Sequence, residues 1–384
     1  MRVLFLVWES LGGRHMADAL QKKGYEVSFF KFSKDEDAKR SKEQTMGLTQ
    51  ELLNGGYDFV FSFNFFPTAA IACKASNVTY ISWVYDNPCI EMYSQTVSFP
   101  TNRVFVFDSS EYMKFQGMAI DTVHYLPLAS AADQYATVIS DSADFHKYDC
   151  DIAFVGATKN EQSQRFSAFD KLDEYTKGYL NGIINAQKSI YGLNFVEKTL
   201  SPMIMDRIRV VFPVKLGEDS LATPQWLISN YYINQLITGK ERAEILKMLS
   251  EKYSVNLYTL EETPDLPKVN NMGEVEYYTE APLVFNRAKI NLNITLKSIA
   301  TGIPLRTMDI MASKGFLLTN FQQDFMDHFV PDEDFVYYEN YEDLMSKCEY
   351  YLVHDNERRE IAENGFEKMR KFHTYEARIE EMFK

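Results

Sequence analysis

Short runs of consecutive apolar residues recur through the first third of the chain, with polar or helical segments between them. Because these residues are continuous rather than alternating, each strand must be covered on both faces, as in a parallel sheet flanked by helices. Between the first two runs, Gly12 and Gly13 open a turn, and a short amphipathic helix then ends at Gly24. This order predicts the opening unit of a doubly wound α/β domain. The runs are residues 3–8, 27–30, 59–63, 80–84, 104–107 and 123–126.

The same alternation starts again after Asp149. Residues 151–156 form a new apolar run that ends in glycine, and a stretch of helical character follows it. We therefore predict an α/β fold of two doubly wound, Rossmann-like domains that face a central cleft. The N-terminal domain spans 1–148, and the C-terminal domain spans 149–372 with a helical insertion around 160–250. Dehydrogenases, sugar-binding proteins, epimerases and glycosyltransferases share this outline, so the fold alone does not choose among them.

The charge balance and the cysteines limit the partners. The 384 residues include 40 Lys and Arg against 54 Asp and Glu, a net charge of −14. This balance argues against nucleic acid or an anionic membrane surface as the main partner. The four cysteines form no Cys-x-x-Cys pair, so the sequence predicts neither a zinc site nor a disulfide framework. The charge-free stretch 220–239 is too polar for a membrane span, and we expect a cytoplasmic protein without a transmembrane segment.

The most informative stretch is 291–315, where a strand ends in polar residues, a glycine loop follows and a helix begins at Pro304. The N-terminus of a helix presents free backbone N–H groups and the positive end of its dipole. The turn from Gly302 to Arg306 is therefore predicted to hold a diphosphate, with Arg306 on a phosphate. Asp309 shares a helix face with Arg306 and would accept hydrogen bonds from a ribose diol. The alternative is an ordinary surface Arg–Asp pair.

Several segments carry a family resemblance when they are taken in order. They are KINLN at 289–293, LRTMDIMA at 305–312, GFLLT at 315–319, ERREIA at 357–362 and HTYEAR at 373–378, together with WVYDNP at 83–88. These segments resemble bacterial glycosyltransferases of the spore-maturation-protein type, which are relatives of glycosyltransferase family 4 with the two-domain GT-B fold. The resemblance implies transfer of a sugar from a nucleotide diphosphate sugar, with UDP-sugar favoured, to a hydroxyl of a protein or glycan acceptor. It implies no further cofactor.

Position near the strand ends suggests further candidates. The structural alternatives are a tight turn at Gly12 and Gly13, a turn or helix cap at Asp86, and plain surface lysines at Lys159 and Lys297. Asp86, at the end of an N-domain strand, is the candidate to orient or deprotonate an acceptor hydroxyl, and His15 lies at the same edge. Gly12 and Gly13 would approach the transferred sugar. The candidates for donor binding are Gly12, Gly13, Gly156, Lys159, Asn293, Thr295, Lys297, Gly302, Leu305, Arg306, Thr307 and Asp309.

One departure from the family pattern leaves alternatives open. Family-4 retaining enzymes resemble one another in two glutamates separated by seven residues, and these positions hold Thr301 and Asp309 here. The second position keeps a carboxylate, whereas the first does not. The leading interpretation is a retaining transferase. A nucleotide-sugar epimerase, which acts on the donor alone, or a non-catalytic nucleotide-sugar-binding relative are the alternatives.

Two expectations concern metal and the C-terminus. Asp-x-Asp triplets, which hold a divalent ion in the other large glycosyltransferase fold, occur at 35–37, 149–151 and 332–334. None of them ends an apolar strand, so we expect no metal site and a metal-independent reaction. In enzymes that this chain resembles, the terminal helix packs back on the first domain, and we expect the same of 373–384.

Overall fold

The computed structural model of the protein describes residues 1–33, 41–142, 146–158 and 168–383. These residues form two compact units. The first unit comprises Met1–Ser130, Leu216–Thr223 and His373–Lys384, and the second comprises Ala131–Lys215 and Pro224–Phe372. Each unit contains one six-stranded parallel sheet among the described residues, so the predicted α/β class with two Rossmann-like domains is confirmed.

The sheet of the first unit has the strand order β2-β1-β3-β4-β5-β6. All its neighbouring strands run parallel, and the middle strands are buried on both faces, as their continuous apolar runs predict. The strands are β1 (Arg2–Val7), β2 (Glu26–Lys31), β3 (Phe59–Phe63), β4 (Thr79–Val84), β5 (Asn102–Val106) and β6 (Val123–Tyr125). The helices that connect them are α1 (Gly13–Lys22), α2 (Lys42–Gly55), α3 (Pro67–Ser76) and α4 (Ser109–Gly117).

The sheet of the second unit has the order β12-β11-β10-β7-β8-β9. Counted from β7, this is the 3-2-1-4-5-6 order of a Rossmann sheet. Its core contains Ile152, Phe154, Leu257, Ile290 and Leu292, each at most 1 % exposed. The strands are β7 (Cys150–Val155), β8 (Val255–Tyr258), β9 (Asn270–Gly273), β10 (Ala288–Asn293), β11 (Leu317–Asn320) and β12 (Val336–Tyr338).

Helices cover this second sheet. Five of the described helices, α6 to α10, lie between β7 and β8, and we call these five helices the helical insertion. A π-helical turn at Leu227–Ile233 joins α9 to α10. The helices are α5 (Ala132–Asp141), α6 (Glu174–Lys188), α7 (Val196–Thr199), α8 (Pro202–Val211), α9 (Pro224–Trp226), α10 (Asn234–Ser250), α11 (Ala281–Arg287), α12 (Leu305–Ala312), α13 (Phe325–His328), α14 (Tyr341–Val353) and α15 (Asp355–Phe372). Among the described residues, no helix has both the length and the apolar character that crossing a bilayer requires.

Two details of the division were not foreseen from the sequence. The first unit ends at Ser130 rather than near 148, because α5 packs on α12 of the second unit and buries Tyr135 there. In addition, Leu216–Thr223 leaves the helical insertion and joins the first unit. Its Asp219 carbonyl accepts a hydrogen bond of 2.9 Å from the Gln95 amide. Pairing of this kind depends on contacts distant in sequence, which no local pattern announces.

The terminal helix (Tyr375–Met382) belongs to the first unit. It buries Tyr375, Ile379 and Met382, which recur at helical spacing and are 3 % exposed or less. The buried guanidinium of Arg378 donates to the Pro127 carbonyl at 2.8 Å. The turn before α1 approaches Tyr375 closely, because Gly12 has a φ of +72° and a Cβ there would collide with the tyrosine hydroxyl.

We predict that Gly12→Ala lowers the free energy of unfolding by roughly 1–3 kcal/mol, because it adds both backbone strain and a collision with Tyr375. Chemical denaturation measures the loss. Gly24→Ala is the matched control, since Gly24 has a φ of +84° but no described atom within 4 Å of its added Cβ. Adding Tyr375→Phe to Gly12→Ala should recover part of the stability. Equal losses for both alanine variants would contradict the packing of the terminal helix on this turn.

Candidate functional site

The carboxyl ends of β7 and β10 form the candidate site of the second unit. The two strands are neighbours in the sheet, with Ile290 opposite Ile152, but the chain continues from them toward opposite edges. Ligands of open α/β sheets bind at such a topological switch point, outside the carboxyl ends of the strands. Gly156 directly follows β7, and Asn293 is the last residue of β10. Both residues are predicted donor-binding positions.

Arg306, in the first turn of α12, reaches this switch point. Its Nη1 donates to Asn293 Oδ1 at 3.0 Å, and its Cζ lies 5.0 Å from the centre of the Phe154 ring. Gly156 leaves room for the guanidinium, because a Cβ there would stand 2.5 Å from Nη2. Asn293 is its one hydrogen-bond partner among the described residues. Arg306 therefore keeps donors available for an anion.

The electrostatic surroundings of Arg306 also favour an anion. Burial, and then the nearby positive charge of Arg242, lowers the pKa of Arg306 to about 9. A lowered pKa means that the positive form is destabilised where it stands. The Asp309 carboxylate raises the pKa of Arg306, but by less than burial and Arg242 lower it. A phosphate bound beside Arg306 would supply the missing negative charge.

Arg242 of α10 is a site residue that the sequence analysis missed. Its Nη1 donates to the Ala157 carbonyl at 2.9 Å, and its Nη2 donates to the Ile294 carbonyl at 2.8 Å. It thereby joins the segments that follow β7 and β10, and burial lowers its pKa to about 10. No motif surrounds Arg242 in the sequence, where it is one charge among several on an ordinary helix.

Asn293 and Thr295 lie at the switch point, where they hold other groups in place. The fully buried Asn293 donates through Nδ2 to Thr295 Oγ1 at 3.0 Å and to Thr319 Oγ1 at 2.9 Å. These bonds orient the amide so that its oxygen faces Arg306. The Thr295 amide donates to Asn320 Oδ1 at 2.8 Å. Both residues therefore fix the position of the guanidinium.

Asp309 is 3 % exposed and accepts hydrogen bonds from two tyrosines. The Tyr135 hydroxyl lies 3.2 Å from Oδ1, and the Tyr277 hydroxyl lies 3.0 Å from Oδ2. The sequence analysis did not foresee either tyrosine, because they come from α5 and from the segment after β9. The ribose contact of Asp309 stays a prediction, and its carboxylate already holds α12 to these two elements.

The remaining predicted donor residues of the second unit differ in their surroundings. Gly302 is buried and Leu305 is half-buried beside the start of α12, where the Thr307 hydroxyl donates to the Pro304 carbonyl at 2.7 Å. Pro304 precedes the helix as its N-cap instead of opening it. Lys297 forms a buried ion pair with Glu241, with 3.1 Å between Nζ and Oε2. Lys159 lies outside the described residues.

The predicted residues of the first unit lie after β1 and β4. Gly13 begins α1, and Gly12 before it accommodates Tyr375. The ring of the buried His15 lies 5.9 Å from that of Tyr375. Asp86 is exposed just after β4, and its Oδ2 accepts a hydrogen bond of 2.6 Å from Asn64 Nδ2. Asn64, the residue after β3, thus orients the Asp86 carboxylate. The sequence analysis did not predict this hydrogen bond.

The His15 environment predicts a pH dependence of stability. Burial, reinforced by the charges of Arg14 and Lys22, lowers the pKa of His15 from 6.5 to about 4. Between these values the unfolded chain binds a proton that the folded chain does not. The contribution of neutral His15 is therefore fully present above pH 6.5 and is lost as the pH falls toward 4.

We expect wild type to lose up to about 3 kcal/mol more than His15→Asn between pH 7 and pH 4. Urea unfolding at a series of pH values measures the difference. Carboxylates titrate in both proteins, so their contribution to the pH dependence cancels when wild type is compared with His15→Asn. The same pH slope in the two proteins would show that His15 is protonated in the folded state.

Comparison with solved structures shows the fold. HepE from Anabaena in complex with UDP and glucose is 9 % identical, with a TM-score of 0.53, and the match covers 100 % of this chain and 99 % of that chain. Sucrose-phosphate synthase from Thermosynechococcus elongatus is 9 % identical with a TM-score of 0.57, and the match covers 100 % of this chain and 98 % of that chain. A glycosyltransferase from Rickettsia africae is 10 % identical with a TM-score of 0.54, and the match covers 100 % of this chain and 98 % of that chain. The predicted GT-B fold is confirmed.

Residues 240–384 match the family described as Glycosyl transferase-like. The matched segment includes Arg242, β10, the turn before α12 and Arg306. This match supports a transferase enzyme, as the sequence analysis expected. No curated protein matches the chain.

Proposed function

We propose that this protein is a glycosyltransferase that moves a sugar from a nucleotide diphosphate sugar, with UDP-sugar favoured, to an acceptor hydroxyl. The observation that carries the proposal is Arg306, a half-buried cation with hydrogen-bond donors to spare at the switch point of the second sheet. It stands beside the N-terminus of α12, whose free N–H groups favour the same kind of ligand. The glycosyl transferase-like match, over residues 240–384, includes Arg306 and this helix.

In the proposed reaction, Arg306 stabilises the leaving group, which is the nucleoside diphosphate. Cleavage of the bond between the anomeric carbon and the diphosphate oxygen leaves negative charge on the nucleoside diphosphate. A fixed guanidinium and the helix N-terminus stabilise that charge without reorganising as it develops. Asn293 keeps the guanidinium aimed at the site, and Gly156 keeps the space open.

The acceptor side of the proposal rests on Asp86. This exposed carboxylate, oriented by Asn64, would orient the acceptor hydroxyl or take its proton as the new glycosidic bond forms. We further propose a retaining, spore-maturation-type enzyme, supported by the carboxylate at Asp309, and a protein or glycan acceptor. The acidic composition and the free cysteines support a cytoplasmic location.

UDP is the first nucleotide to test, because HepE, which shares the fold, was crystallised with UDP and glucose. Arg306→Met should weaken UDP binding by about 1.5–3 kcal/mol, the range for a hydrogen bond to a charged group, and leave uridine binding unchanged. Isothermal titration calorimetry with both ligands measures the difference. Gly156→Ala should weaken UDP in the same direction, because its Cβ displaces the guanidinium.

The matched control is Arg209→Met, which removes an exposed arginine from α8 in the same unit. It should bind UDP as wild type does. Equal UDP affinity in wild type and Arg306→Met would remove Arg306 from the donor site. In a turnover assay, product from the donor alone would indicate an epimerase, and binding without any turnover would indicate a non-catalytic relative.

We also propose that the reaction needs no divalent metal. Of the three Asp-x-Asp triplets, 35–37 lies outside the described residues. In the others, Asp149 pairs with Arg287, Asp151 with Lys289 and Asp334 with Lys368. Within the described ranges, no group of three or more His, Cys, Asp or Glu side chains is arranged to hold a metal ion.

Sugar transfer should therefore persist in excess EDTA, because Arg306 and α12 meet the charge of the leaving diphosphate. Release of nucleoside diphosphate, followed with and without chelator, measures this. Adding Mg²⁺ or Mn²⁺ to the chelated enzyme is the control. Loss of transfer in EDTA with recovery on adding either ion would contradict the proposal.

A further inference from the structure

The segment that joins β10 to α12, residues 294–304, has little regular structure and yet is held at many points. We call it the donor loop, because it ends at the turn that presents Arg306. Asn320, the last residue of β11, and the segment that follows it hold one side of the donor loop. The contacts run from the Thr295 amide to Asn320 Oδ1 (2.8 Å), from Gln322 Nε2 to the Ile299 carbonyl (3.1 Å) and from the Asp324 amide to the Thr301 carbonyl (3.0 Å).

The helical insertion holds the other side through one face of α10. Thr238, Glu241 and Arg242 stand at positions i, i+3 and i+4, which share a helix face. Thr238 Oγ1 accepts a hydrogen bond of 2.9 Å from the Lys297 amide. Arg242 donates to the Ile294 carbonyl, and the Glu241 carboxylate binds the Lys297 ammonium. The same face therefore grips both the backbone and a side chain of the donor loop.

The Glu241–Lys297 ion pair is deeply buried. Glu241 is 0 % exposed and Lys297 is 7 % exposed. The Tyr191 hydroxyl donates to Glu241 Oε1 at 2.7 Å, and the Tyr191 ring lies 4.0 Å from the Lys297 Nζ. Lys297 Nζ also donates to the Lys188 carbonyl at 3.3 Å. The charge of Lys297 is thus neutralised, and its donors are used within the protein.

We propose that Glu241 and Lys297 are positioning residues for the donor site, and that Lys297 does not contact the donor. Because the ion pair locks the donor loop to α10, the turn before α12 and Arg306 are already in place when the donor binds. This inference rests on the proposed function and explains what the helical insertion contributes to it. It reverses the direct donor-binding role that the sequence suggests for Lys297.

The variant Glu241→Gln separates a positioning role from direct contact. If Lys297 positions the loop, losing its buried partner loosens the loop, and UDP affinity should fall roughly tenfold or more. If Lys297 instead binds phosphate, Glu241→Gln frees its charge, and UDP affinity should stay the same or rise. Calorimetric titration with UDP decides between these outcomes. Unchanged or tighter UDP binding by a folded Glu241→Gln protein overturns the proposal.

A matched control separates positioning from general destabilisation. Ile208→Ala removes a fully buried side chain from α8 in the same helical insertion, away from the α10 face that holds the donor loop. It should lower the melting temperature without changing UDP affinity. If Glu241→Gln does not fold, Thr238→Val removes the acceptor of the Lys297 amide and should weaken UDP in the same direction. A double Glu241→Gln/Lys297→Met variant should lose less affinity than the two single losses combined, because the residues act as a pair.

A second measurement tests the inference without any ligand. Hydrogen–deuterium exchange of the amides in 294–304 should accelerate in Glu241→Gln and stay at the wild-type rate in Ile208→Ala. Unchanged exchange in Glu241→Gln overturns the positioning role. Absence of UDP binding by wild type would instead contradict the proposed donor, and the exchange result would still decide the role of the ion pair.

Discussion

The lateral pairing of β7 with β10 is the interaction on which the candidate site depends. With Asn291 opposite Ala153, the register brings the carboxyl ends of two strands that are far apart in sequence to one edge of the sheet. Gly156 and Asn293 then flank a single space, and Arg306 at the start of α12 enters it. Because helices pack on both faces of the sheet, backbone groups and polar side chains can meet a ligand only at such an edge.

The positive side chains at this edge of the sheet differ in how their charge is balanced, and this difference distinguishes Lys297 from Arg306. Lys297 is buried against Glu241, so that its charge is satisfied within the protein. Arg306 and Arg242 lie on the same aromatic ring, that of Phe154, and Arg242 adds to the burial that lowers the pKa of Arg306. Breaking the Lys297 pair would leave an uncompensated buried charge, whereas a bound anion would relieve the repulsion at Arg306. Lys297 is therefore paired within the protein, and Arg306 is the residue that the proposed function assigns to the donor phosphate.

The first unit shows how a residue that looks like a ligand contact can have a structural task. Gly12 follows the first strand, where glycine often lets a ligand approach the backbone. Here the terminal helix occupies that space, because Tyr375 lies against Gly12 and Arg378 binds the Pro127 carbonyl. Asp86 is exposed and accepts a hydrogen bond from Asn64, and its contact with an acceptor stays a prediction.

The sequence by itself determined the two parallel sheets, and it predicts a donor site at the turn before α12. Continuous apolar runs and the order of strand, glycine and helix are local patterns, and they follow directly from covering a sheet on both faces. Tertiary structure alone decided the partners of each polar group. Arg242 donates hydrogen bonds to the segments after β7 and β10. Tyr135 and Tyr277 donate to Asp309, and Glu241 forms an ion pair with Lys297. These pairs span long sequence separations, so no local periodicity encodes them. Only the packed chain shows that Lys297 is paired with Glu241, whereas Arg306 has Asn293 as its one hydrogen-bond partner among the described residues.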